Sequence, residues 1–165
     1  MSIIDRLTEE HNQILIFLDT FEKDILNLME DNIFDKNNFL GHIQFIHEYA
    51  DCRHHQREEK ILFKYMEEHL GLPAQKLIRH GMLVEHNLAR YYVQELEKCI
   101  HNYFSTPSPQ IKLSIIGLGY AYCDLLRRHI EKENNVVYPF ALRQLSKEIF
   151  EQMKQEDTQF LSNEI

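Results

Sequence analysis

His54-His55-Gln56-Arg57-Glu58-Glu59-Lys60-Ile61-Leu62-Phe63 places a histidine four residues ahead of a glutamate. A second stretch, His129-Ile130-Glu131-Lys132-Glu133-Asn134-Asn135-Val136-Val137-Tyr138, repeats that spacing. On a helix, residues four apart stand one turn above one another on the same face. Each pair therefore reads as an imidazole and a carboxylate able to grip one metal ion, or to bridge two ions through the carboxylate.

Outward from these stretches the apolar residues keep a helical rhythm. Ile4, Leu7, His11, Ile14, Leu18, Phe21, Ile25 and Leu28 alternate steps of three and four, the seam of a bundle helix, with His11 at a core position. Leu40, Ile43, His47, Ala50, His54 and Ile61 form the second seam. Met82, His86, Ala89, Val93, Leu96, Ile100 and Tyr103 form the third, and Ile115, Leu118, Tyr122, Leu125, His129 and Val136 the fourth. Joints are expected at residues 31–38, at Gly71-Leu72-Pro73 and at Ser105-Thr106-Pro107-Ser108-Pro109, and Pro139 should kink or stop the fourth helix. No stretch sustains a period of two, so no sheet is expected. The predicted fold is all-α: an up-down-up-down four-helix bundle with a short additional C-terminal helix. Residues 1–165 read as one domain, with the bundle core at about 3–142 and the last helix at about 146–162.

Composition narrows the class of function. A net charge of −8 supplies no basic surface and argues against a nucleic-acid partner. No apolar run approaches the roughly 18 residues that span a bilayer, and the first residues do not open a secretory signal, so no membrane partner is expected. Cys52, Cys99 and Cys123 form no Cys-x-x-Cys pair and read as reduced core thiols of a cytoplasmic protein.

The chain also repeats itself weakly at an offset of 75 residues. Glu10-His11-Asn12 recurs as Glu85-His86-Asn87, Arg53-His54 and Glu58 recur as Arg128-His129 and Glu133, and Glu22, Ile25 and Asn27 match Glu97, Ile100 and Asn102. At ~1.5 Å per residue, His11 and His54 lie ~32 Å from the first joint, and His86 and His129 lie equally far from the third. All four histidines should meet at one level inside the bundle. A single histidine on an apolar face is usually a hydrogen-bonded core residue. Burying four imidazoles and two carboxylates together is too costly without compensation. A salt-bridged or hydrated polar core would supply some; a metal site at His11, His54, Glu58, His86, His129 and Glu133 satisfies every donor. Nitrogen and oxygen donors without thiolate suit iron, manganese or zinc, and two carboxylates among four imidazoles favour a pair of ions. If both carboxylates and one oxo or hydroxo group bridge, two positions stay open for a small ligand.

The order His11, His54-x-x-x-Glu58, His86, His129-x-x-x-Glu133 resembles the hemerythrin-like, or HHE cation-binding, domain family. The resemblance extends to His55, Glu59 and Leu62-Phe63 after the first pair and to residues 134–139 after the second. It implies a non-haem centre of two iron ions joined by an oxo or hydroxo bridge, with zinc or manganese as substitutes, that binds dioxygen or a related diatomic. On that reading the four histidines are terminal ligands and Glu58 and Glu133 bridge.

The oxygen carriers of this type place two histidines four apart on the third helix and an aspartate on the fourth. Here Arg90 and Met82 flank His86 at that spacing and the last carboxylate is Glu133, which weighs against simple reversible oxygen carriage. His47 and Tyr122, seven residues before the paired histidines, are candidates for an extra ligand or a hydrogen bond to one, and Asp51 for orienting a ligand imidazole. His42, His55, His69, His80 and His101 fall off the seams and are expected at the surface. Gly117 and Gly119 leave room either for a gas pocket or for close helix packing. The expected function is binding or sensing of dioxygen, nitric oxide or peroxide rather than catalysis. Peroxide decomposition, ferrous iron oxidation and iron storage or delivery are the alternatives. Ferritin-type sites use Glu-x-x-His pairs, which this chain lacks.

Overall fold

The computed structural model describes residues 2–162 and contains five helical stretches and no strand among them. They are α1 (Ile3–Asp31), α2 (36–69), α3 (71–105), α4 (109–144) and α5 (Lys147–Ser162). Local chemistry sets the ends. Ser2 and Asp5 form a capping box at the start of α1, and Asn32 closes that helix in the left-handed region at φ 57°. Asp35 accepts the Asn37 and Asn38 N–H groups at the start of α2. Gly71, at φ 66°, turns the chain directly into α3. Ser108 caps α4, with Pro109 in its first turn, where no N–H is needed.

The helices pack as a bundle. Helix α4 runs along both α1 and α3, α2 leans on α3, and α5 covers parts of α1 and α2. Two apolar clusters result. One gathers Ile14, Leu18, Phe21, Ile25, Val93, Leu96 and Leu126. The other gathers Ile3, Leu7, Leu62, Phe63, Met66, Met82 and Val137, with Met153 from α5. On the first three helices the predicted donors fall in the sequence gap between these clusters, as His11 does between Leu7 and Ile14; on α4 Glu133 lies in the gap and His129 one residue before its edge at Ile130. The hydrophobic effect thus closes the bundle above and below one polar layer.

The backbone departs from the regular α-helix where that layer lies. Residues 46–55 and 58–63 of α2, 78–82 of α3 and 133–137 of α4 are π-helical, with bonds such as Tyr138 N–H to the Glu133 carbonyl. Each wide turn takes in an extra residue and moves the inner face along by about one position. Two seam positions are corrected, the second of them by this shift. Ile46 is buried while His47 is exposed, and Val137 is buried while Val136 is 49% exposed. Pro139 does not stop α4, because the π-helical turn ends just before it and its missing N–H falls where no partner is required.

Gly117 is exposed, and a Cβ on Gly119 would come 2.6 Å from Ile25 Cδ1. Gly119 therefore serves close packing of α4 on α1 and leaves no gas pocket. The three cysteines are free, but only Cys123 is a core thiol. Cys99 is half-buried and Cys52 is exposed. No helix of the described residues is long and apolar enough to cross a membrane.

Candidate metal centre

Six predicted donors converge in the polar layer. His11, His54, Glu58 and Glu133 place ligand atoms within 4.8 Å of one another, and Glu58, His86, His129 and Glu133 do the same. All six are buried. The two carboxylates belong to both groups, so each stands between one pair of imidazoles and the other.

Every imidazole is held from behind. His11 Nδ1 donates to Asn134 Oδ1 at 2.9 Å, and His54 Nδ1 to Glu10 Oε2 at 3.1 Å. His86 Nδ1 donates to Glu59 Oε1 at 2.7 Å, and His129 Nδ1 to Glu85 Oε2 at 2.8 Å. These bonds fix the tautomer and turn each Nε2 lone pair inward, as outer partners of metal-bound histidines do. They also follow the 75-residue repeat, because Glu10 matches Glu85 and Glu59 matches Asn134. The next layer repeats too. Arg57 pairs with Glu10, and its counterpart Lys132 pairs with Glu85.

With the Nδ1 protons facing outward, the inward nitrogens of the neutral imidazoles are acceptors, as are the ionised carboxylates. Nε2 of His11 lies 3.1 Å from Glu133 Oε2, and Nε2 of His129 lies 3.1 Å from Glu133 Oε1. His86 Nε2 is 3.0 Å from His129 Nε2 and 3.4 Å from Glu58 Oε2. His54 Nε2, Glu58 Oε2 and both Glu133 oxygens have no hydrogen-bond partner. Lone pairs facing lone pairs at these distances are repulsive unless cations lie between them. The residues present fit metal ions.

Protons alone would make uneven use of the cage. Burial pushes Glu58 above the usual carboxylate range, and the facing Glu133 adds to that. Burial also opposes ionisation of Glu133, yet His129 and His11 overcome it and hold Glu133 well below that range. His129 is raised to about 10, because Glu133 and Glu85 outweigh its desolvation, whereas burial drives His54 well below the usual value. A divalent cation removes this conflict by meeting all lone pairs at once.

The sequence model of the hemerythrin HHE cation-binding domain matches residues 2–141, which span all six donors. The chain belongs to the hemerythrin HHE cation-binding domain family. A search of curated proteins gives no match. The His and Glu cluster of this hemerythrin-like domain is able to hold metal.

Several other predicted positions need correction. His47 does not reach the donors: it is half-exposed and lies 3.5 Å from Glu97. Tyr122 is fully buried, and its hydroxyl makes no hydrogen bond among the described residues. Both line a cavity of about 310 Å³ beside the centre, together with Asp51, His55, Arg90 and Val93. Asp51 faces His55 at 3.5 Å rather than His54, whose Nδ1 is taken by Glu10. His69, His80 and His101 are exposed as expected, but His42 and His55 are buried. His42 packs against Phe17 and Phe21 and bonds Asp24 at 2.7 Å, an ordinary satisfied core histidine. His55 stacks on His86 with ring centroids 4.0 Å apart, because the π-helical stretch ending at His55 turns both members of the His54-His55 pair inward.

Tyr138 enters the centre unannounced. Its hydroxyl donates to Glu58 Oε1 at 2.6 Å and lies 3.2 Å from His11 Nε2. The repeat was the available signal, since Tyr138 corresponds to Phe63, which stacks on His86. The same repeat contained Glu10 and Glu85. Removing one outer carboxylate should weaken the centre without dismantling it. Glu85→Gln is expected to lower metal affinity about 10–100-fold, read by competition with a chelator. Unchanged affinity would sever Glu85 from the site.

Proposed function

We propose that the chain is a non-haem di-iron protein that binds or senses dioxygen, nitric oxide or peroxide. Its fold on this reading is the up-down-up-down four-helix bundle, with α5 as the additional helix. His11 and His54 would hold one ion and His86 and His129 the other, with Glu58 and Glu133 shared between them. The observation that carries the reading is the sharing of these two carboxylates by both buried donor groups. A single structural zinc would need only four donors and closed geometry. Two buried ions with positions left over suit a small ligand.

When bound, iron would supply the redox-active partner for such a ligand. The chain's own residues do the rest. Asn134, Glu10, Glu59 and Glu85 orient the imidazoles, while Phe63 and the apolar clusters exclude water. Tyr138 keeps a proton at its hydroxyl, since burial and Glu58 raise it well above the usual phenol value. That phenol inside the donor set favours a second reading, an enzyme consuming peroxide, because reduction of peroxide needs protons.

The test is metal analysis with an optical spectrum of the anaerobically reduced protein, followed by oxygen, nitric oxide and peroxide in turn. Two irons per chain and a reversible spectral change with oxygen or nitric oxide support binding or sensing. Rapid oxygen evolution from peroxide, slowed by Tyr138→Phe, supports the enzyme. Tightly bound zinc with no response to any of the three sinks both.

A further inference from the structure

The two halves of the centre are not equal, and the inequality lies at His55. Its repeat counterpart is Ile130, a buried aliphatic residue with nothing to donate. His55 is buried with neither ring nitrogen hydrogen-bonded. Asp51, the carboxylate 3.5 Å away, is committed to Arg90 at 2.7 Å. The contrast with His42 is instructive, since that buried histidine has its aspartate at 2.7 Å. A buried imidazole with no partner is destabilising at most sites. Here it stands among metal donors: ligand atoms of His55, His86 and His129 lie within 4.8 Å of one another.

We infer that His55 is a fifth histidine ligand, completing the ion held by His86 and His129. The inference rests on the di-iron reading above and deepens it. Coordination then becomes asymmetric. With both carboxylates and one solvent oxygen shared, the ion with three histidines is filled at six positions. The ion of His11 and His54 has five, so the one open position is on the side of Tyr138. No equivalent donor exists there, because Ile130 takes the matching place. A diatomic ligand would bind at one ion only, beside a phenol able to donate a hydrogen bond to it.

The experiment titrates cobalt(II) into stripped wild-type, His55→Ala, His55→Gln and His69→Ala proteins against a competing chelator, recording visible absorption. Melting of the stripped forms reports folding separately from metal binding. Wild type and the exposed-site variant His69→Ala should take up two ions. His55→Ala should keep one site and weaken the other at least about 10-fold, with absorption bands moving toward a lower coordination number. Added imidazole should restore the wild-type spectrum, and His55→Gln should fall between the two. Two ions bound by His55→Ala with wild-type affinity and spectrum would overturn the inference while leaving the di-iron reading in place. Failure of wild type itself to bind a second ion would overturn both.

Discussion

Stripping both ions should lower the midpoint of thermal unfolding by roughly 15–30 °C. Each ion held at a thousand times its dissociation constant adds about 4 kcal/mol to folding. For a chain of this size 1 kcal/mol corresponds to roughly 2–4 °C. The stripped protein keeps Glu58, Glu133 and four inward-facing imidazoles in a buried layer, so it bears the desolvation without the compensation. Its stability should also acquire a pH dependence. His129 is raised to about 10 in the fold, so its contribution is complete below 6.5 and is lost as pH climbs toward 10. The groups with lowered values, His54, His55 and Glu133, have already lost their protons in that range. The stripped protein should therefore lose more of its melting temperature between pH 6.5 and 10 than the loaded protein does. Calorimetry of both forms decides it. An unchanged midpoint after chelation would mean a polar core that needs no ion.

Arg57→Met should cost about 3–5 kcal/mol, the penalty for removing one partner of a buried ion pair. Arg57 is fully buried, bonded to Glu10 and 2.8 Å from Asp157 of α5. Its loss leaves two carboxylates, neither more than 5% exposed, with only part-exposed arginines: Arg53 at 3.3 Å from Glu10 and Arg6 at 3.0 Å from Asp157. Because Glu10 is the residue that holds His54 Nδ1, metal affinity should fall with stability. Arg57 thereby ties the last helix to a ligand through Asp157, Arg57, Glu10 and His54 in turn. Urea unfolding gives the stability change and chelator competition gives the affinity. A loss under about 1 kcal/mol would show that Arg53 and Arg6 suffice to compensate Glu10 and Asp157.

The donors were legible because helical spacing and internal repetition act together. His11 and His86 each lie on a regular α-helical seam, and the paired motifs repeat at one offset, so four ligands and two carboxylates could be placed without coordinates. The capping residues Ser2, Asp35 and Ser108 and the glycine turn at Gly71 mark their helix ends through local chemistry that a sequence displays directly.

What escaped has one main cause. A π-helical turn has no strong local signature, because packing and buried polar groups impose it rather than backbone propensity. Extrapolating a regular seam through this stretch put His55 outside, where the structure has it inside, whereas His47 is outside because the seam steps from Ile43 to Ile46 as the wide turns begin. The slip at Val136 and the fate of Pro139 have the same origin. Partners such as Glu10 for His54, or Asp157 for Arg57, join residues far apart in the chain, and no local period encodes them.

The amino-acid order alone thus determined a helical chain carrying two copies of a histidine–glutamate grip, since both properties depend on spacings of three and four residues. Only the tertiary structure decided which neighbours turn inward. That outcome depends on where the bundle widens its helices to fit six polar side chains between two apolar clusters.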